Sequence, residues 1–296
     1  MKKLVRPQFG WAGEKAAVAA YEQCKDQFSK FNIVGSTPSE PGPPIWEYAK
    51  KLNGGQHLPT WQQESGDCVS MGMVQAGQYS SVYEIIKRRE EEQFKFWYPP
   101  FIYGTSRVQI GGGMWGPGST GAWAAAAVKQ YGVLFEDDRN VPSYSGRIAD
   151  RWGRSGPPRE FLELASDNLV KTAAPLDSVD EIRESLLNYH MVTVASNRGF
   201  SMQPYEKQGY HVGRPRGRWP HQMCFIAWMD KPFKAAYRMN SWGPNAHGNP
   251  FNGEPAGGFW NLASDIEAEL RRYDVELYAI SAFDGFPAAD IDYSIL

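Results

Sequence analysis

The chain has 296 residues, enough to bury a substantial core as one large domain or two lobes. Its 31 Lys+Arg against 33 Asp+Glu leave a formal net charge of -2, which argues against the basic surface a nucleic-acid partner requires. No run approaches the ~18 apolar residues of a membrane span, and "MKKLVRPQFGWAGEK" lacks the apolar stretch of a signal peptide, so a cytoplasmic or virion-associated protein with no membrane partner is expected.

In chain order, residues 11–32 read as a helix with Ala16, Ala17, Ala20, Tyr21 and Phe28 among its less polar positions, followed by the connector "STPSEPGPP". From Cys68 onward, Met71, Val74, Val82, Ile85 and Ile86 fall near helical spacing until the charged run "KRREEEQ", the pattern of a solvated helix end. A second helix is signalled by "STGAWAAAAVKQYG", with Ser119 or Thr120 as cap and Gly132 as stop. In "SVDEIRESLLNYH", Ser178 and Glu181 form a capping box ahead of Ile182, Leu186 and Leu187.

Beyond that helix the pattern changes to strands: "MVTVAS" at 191–196, "HQMCFIAWM" at 221–229, "AAYRMNSW" at 235–242, "GGFWNLA" at 257–263 and "VELYAISAF" at 275–283. The densest basic segment, "HVGRPRGRWPH" at 211–221, is rich in Gly and Pro and reads as a solvated loop, with an anionic partner as the lesser alternative. Helices first and strands after describe an α+β chain in two lobes, with a cleft between them as the place for a site.

Cys24, Cys68 and Cys224 are odd in number and lack C-x-x-C spacing, so neither a disulfide framework nor a zinc site is expected, and no cofactor is implied. Cys68 stands in "QQESGDCVSMG" at a helix start. Alone it would be an inert buried thiol. Gln62, His221 and Asn240 likewise have ordinary separate explanations as a loop glutamine, a strand histidine and a turn asparagine.

Taken together, these residues resemble the papain-like cysteine peptidases. Gln62 precedes Cys68 by six positions, Gly66 lies two before it, His221 opens the apolar strand "HQMCFIAW", and Asn240 stands in "NSWG". "GSTGAWAAAAVKQYGV" is similar to the family's cleft-lining helix, and "LLNYHMVTVAS" to its helix-to-strand segment, so the likeness runs over roughly residues 55–285.

The resemblance implies an N-terminal extension over 1–54 and a peptidase domain over 55–296. That domain would divide into a helical lobe at about 55–175 and an antiparallel, β-barrel-like lobe at about 176–296. It also implies a Cys68 thiolate paired with His221 as general acid and base, and Asn240 orienting the imidazole under Trp242. Gln62 and the Cys68 amide would hold an oxyanion, and a peptide or protein substrate would lie along 116–121 against Gly118 and Ser119.

The chain departs from the family at Val69, where tryptophan is usual, and at Ser65, where a second cysteine is usual. His221 and Asn240 lie 153 and 172 positions beyond Cys68, which implies insertions near 136–160 and 198–219. The family's disulfides cannot form, and residues 1–54 do not match a full inhibitory prosegment, although "YEQCKDQFSKFN" bears a limited likeness to one. Two other readings follow: a papain-fold component of a larger assembly, such as a phage particle, with little catalysis, and acyl transfer to an amine through the same thioester. His190 and His211 fit cap and surface roles better than that of base, and His57 and His247 receive no role.

Overall fold

A computed structural model describes residues 7–31, 38–88 and 94–283. Its helices are α1 (Glu14–Cys24), α2 (Ile45–Leu52), α3 (Cys68–Arg88), α4 (Pro99–Gly104), α5 (Gly121–Gln130), α6 (Gly146–Ser155), α7 (Arg159–Ala165), α8 (Val179–Leu187) and α9 (Ala263–Arg272). The strands are β1 (Ala173–Pro175), β2 (Met191–Phe200), β3 (Tyr205–Lys207), β4 (Tyr210–Val212), β5 (Pro215–Met229), β6 (Ala235–Met239), β7 (Gly258–Leu262) and β8 (Glu276–Ile280). They form one open eight-stranded sheet in the order β1-β8-β2-β5-β6-β7-β4-β3. The pairing is antiparallel except where Val212 on β4 meets Trp260 on β7. The chain is therefore α+β, helical first and stranded second. Among the described residues no helix is long and apolar enough to cross a membrane.

Helix α3 runs through the middle of the molecule, and every residue from 68 to 82 is buried. A helix covered on all sides has no need of a polar face, which is why its apolar period is faint in the sequence. Its buried hydroxyls are matched: Ser80 Oγ donates to the Ile280 carbonyl at 2.7 Å and accepts from the Met191 amide at 3.1 Å. At Gly72 a Cβ would lie 3.0 Å from the Met223 carbonyl, so glycine lets α3 approach β5 closely. That approach brings the first turn of α3 against the strand that carries His221.

Thr120 caps α5 by accepting from the Trp123 amide at 3.2 Å, and the alanines of α5 allow α1 to pack on it. Ser178 caps α8, while the Glu181 carboxylate reaches the Asp177 amide rather than that of Ser178. The helix expected over 11–32 is shorter: α1 is followed by a 3-10 turn at Lys25–Gln27. Part of "STPSEPGPP" and the end of "KRREEEQ" lie outside the described residues.

The region 136–160, where an insertion is expected, contains α6, capped by Ser145 and stopped by Gly156 at φ +76, and the beginning of α7. One expectation needs correction. Residues 211–221, expected as a loop, contribute to β4 and to the first half of β5. Val212 and Trp219 are buried while Arg216, Gly217 and Arg218 are exposed, so no simple period marks the strand in the sequence.

Candidate active site

Cys68 is the first residue of α3, with 0% of its surface exposed, and its Sγ accepts a hydrogen bond from the Gln222 amide at 3.4 Å. The N-terminal turn of a helix leaves amides without internal partners and carries partial positive charge, so the sulfur sits where an anion is favoured. Burial nevertheless pushes the thiol up to about 12, with amides of Gln222 and Gly10 acting in the opposite direction and Asp67 adding to the rise. Asp67 is itself buried, which pushes its carboxyl up to about 7 although the Tyr144 hydroxyl donates to it at 3.0 Å.

One residue before Gln222, His221 is 1% exposed. Its Nε2 faces Asn240 Oδ1 at 2.8 Å, and its Nδ1 has no hydrogen-bond partner. Asn240 Oδ1 also accepts from the Ser241 amide at 2.7 Å, which fixes the side-chain amide with its oxygen toward His221. Trp242 lies over the imidazole with ring centroids 4.7 Å apart and planes 30° apart. Burial pushes His221 down to about 3. Burial thus disfavours the charged form of both the thiol and the imidazole in this covered arrangement.

Asn240 has a second partner that the sequence did not single out. Its Nδ2 meets Nε2 of His247 at 2.9 Å, and His247 is fully buried. The amide donates, so His247 Nε2 must accept, leaving the proton on Nδ1. Burial pushes His247 down to about 4, which keeps it an acceptor at neutral pH. His247→Gln retains an acceptor and is expected to preserve the reactivity of Cys68 in an opened cleft. His247→Phe leaves the Asn240 amide unpaired and is expected to lower that reactivity about tenfold, read as a kcat or labelling rate in chains of equal thermal stability.

The chain's own N-terminal segment fills the space over these groups. The Gly10 carbonyl accepts from the Ser119 amide at 2.8 Å, and the Ala12 amide donates to the Ser119 carbonyl at 2.8 Å. The Trp11 amide reaches the Pro220 carbonyl at 3.2 Å. Phe9 packs edge-on against His221 and Trp242, and Trp242 Nε1 donates to the Gln8 carbonyl at 3.0 Å. The Trp11 indole is buried, with Nε1 donating to Glu276 at 2.5 Å. At Gly10 a Cβ would lie 1.9 Å from the Gly66 carbonyl oxygen, so only glycine fits there.

The expected peptide-binding wall is therefore occupied, at Gly118 and Ser119, by an extended strand of this same chain. Arg107 holds that wall: its guanidinium donates to the carbonyls of Gly116 at 2.6 Å, Met114 at 2.8 Å and Gly118. Cys68, His221, Asn240 and Trp242 come together as expected. Gln62 is exposed, its backbone bridging Trp242 and its side chain lying over Gly243, with no hydrogen bond to Cys68 among the described residues. Cys24 and Cys224 are buried free thiols elsewhere in the core, both pushed up by burial. His190 is buried and pushed down to about 3, and His211 packs against Phe251 at 4.0 Å. The position of His247, seven residues past Asn240, is the only sequence cue to its role; "QFGWAG" gave none for the covering strand.

No family model and no curated protein matches the sequence. Solved structures do match the fold. Xylellain, a cysteine protease from Xylella fastidiosa, superposes with a TM-score of 0.55 and 15% identity over 93% of this chain and 91% of its own. The procathepsin B S9 of Trypanosoma congolense gives 0.55 and 10% identity over 93% and 86%. The ragweed pollen allergen Amb a 11, a cysteine protease in its proform, gives 0.53 and 12% over 92% and 77%. With the helical first half, the sheet of the second and the thiol at the start of the central helix, this agreement is decisive for architecture: the chain has the fold of the papain-like cysteine proteases.

Proposed function

We propose that this chain is a cysteine peptidase, with Cys68 as nucleophile and His221 as proton carrier, acting on polypeptide that lies extended in the cleft. The observation that carries this reading is the covering strand itself. A peptide backbone pairs with Ser119 directly over a thiol that sits at a helix N-terminus beside a His–Asn pair.

In the opened cleft, the Cys68 proton passes to the free Nδ1 of His221 as sulfur bonds to the scissile carbonyl carbon. The Cys68 amide and, once a substrate draws it inward, the Gln62 side chain donate to the oxyanion. The C–N bond then breaks, and the amine leaves with the proton held on Nδ1. Water, deprotonated by the same nitrogen, hydrolyses the thioester and restores the thiol. Asn240, held by His247, keeps Nε2 occupied so that Nδ1 remains the working nitrogen.

The test is intact and peptide mass after brief exposure to a peptidyl epoxide, using the wild-type chain and Gly10→Ala. One adduct at Cys68, absent from Cys24 and Cys224 and faster in Gly10→Ala, is the expected result. A folded Gly10→Ala chain with an accessible but unlabelled Cys68 would overturn the reading. The complete burial of the thiol favours a second one, a papain-fold binding component of an assembly, and that same unreactive outcome would support it.

A further inference from the structure

The basic segment 211–221 is not used by the chemistry above, and its arginines converge. A pocket of about 580 Å³ is lined by Arg198 of β2, Arg216 and Arg218 of β5, Arg272 of α9, Tyr273 and Glu14. Four guanidinium groups face one carboxylate in a chain whose overall charge is -2. Arg198 and Arg218 are directly opposite in the β2–β5 register, a placement of like charges that destabilises a strand pair unless an anion lies between them. Among the described residues none of the four has a carboxylate within ion-pair distance, and Arg198 Nε is buried without a hydrogen-bond partner. Asp265 of α9 is near enough to feel the charge of Arg198 but forms no ion pair with it.

The pocket lies close in sequence to the residues that hold the covering strand. Arg218 lies two residues before Pro220, whose carbonyl binds the Trp11 amide, and Glu14 lies two residues after Ala12, which pairs with Ser119. Past the covering strand the chain turns at Gly13 into α1, whose first residue, Glu14, lies four residues after Gly10 and lines the arginine pocket. Glu14 is held there through Asn197 Nδ2 at 2.9 Å rather than by an arginine, so the guanidinium groups stay free for another anion.

We infer that this pocket is a subsite for an Asp or Glu side chain of the polypeptide that replaces the covering strand, about four residues from the residue over Cys68. This rests on the peptidase reading for the position of the peptide, but the charge preference can be read without turnover. Guanidinium–carboxylate pairing at a half-enclosed site supports a preference of about tenfold for Glu over Gln.

The experiment uses full-length Gly10→Ala chain and peptides in which one Glu, or Gln as control, moves through successive positions. Binding is measured by fluorescence polarisation in the Cys68→Ala background, and kcat/KM in the background that keeps Cys68. The expected result is a Glu preference of about tenfold at one position, reduced by salt and lost in Arg198→Gln/Arg218→Gln, but retained in Arg271→Gln, outside the pocket. A preference in binding without any cleavage would sustain the subsite and sink the peptidase reading. Cleavage with equal use of Glu and Gln at every position, or a preference unaffected by the arginine substitutions, would overturn the subsite.

Discussion

Gly10→Ala is expected to raise the alkylation rate of Cys68 by about 10²-fold at neutral pH. The substitution places a methyl group where the Gly66 carbonyl oxygen stands 1.9 Å away, so the covering strand must lift there. Lifting rehydrates a thiol that burial holds at about 12. A return to an ordinary value near 8.5 increases the thiolate by roughly 10³-fold or more at neutral pH, and the lower nucleophilicity of the more acidic thiol takes back about half of that on a logarithmic scale. Improved access adds to the remainder.

The pH dependence follows with a definite sign. In the wild type the rate should climb about tenfold per unit throughout pH 7–9, because the thiol is far from its midpoint, whereas in Gly10→Ala the climb should flatten toward pH 9. Iodoacetamide kinetics with peptide mass readout, run beside a urea titration, check both. Equal rates in the two chains would show that the strand does not protect the thiol. A rise shared by Cys24 and Cys224 would mean that the whole fold, and not the cleft alone, had opened.

His221→Ala is expected to lower kcat of the opened chain by about 10²- to 10⁴-fold with little change in KM. In the proposed reaction the imidazole both removes the thiol proton and supplies the proton to the leaving amine, with no neighbour placed to take over. His247 has its Nε2 turned to Asn240 and is separated from the reacting atoms by it. Asp67 is shut in with Tyr144 and Glu64. Steady-state kinetics on a peptide substrate provide the measurement; a loss smaller than tenfold would place the proton transfer on another group.

Much of this site could be read from residue order, because the cysteine, histidine and asparagine that the fold brings together are spaced widely but recognisably. Cys68 at a helix start, His221 at a strand and Asn240 before Ser-Trp-Gly were legible for that reason. What was not legible arises from contacts between distant segments. The path of Gln8–Ala12 depends on Gly66, Ser119, Pro220 and Glu276, and no local pattern in "QFGWAG" encodes those partners. His247 is a similar case, since a histidine after Pro-Asn-Ala is a surface residue until the turn folds its ring against Asn240 and Phe259. The first half of β5 was hidden because glycine and proline interrupt a strand whose outward face is arginine.

Glu276 gives the covering strand a further property. Its carboxylate accepts a hydrogen bond from the Trp11 indole, and it also accepts from the Gly121 and Ala122 amides at the head of α5, each at 2.8 Å. When Trp11 withdraws, the acid loses one of three donors and keeps the two that belong to the rigid helix, so departure strands no unanswered charge in the interior. Vacating the cleft is therefore expected to leave its floor in place, so that a competing chain would shift occupancy by concentration alone.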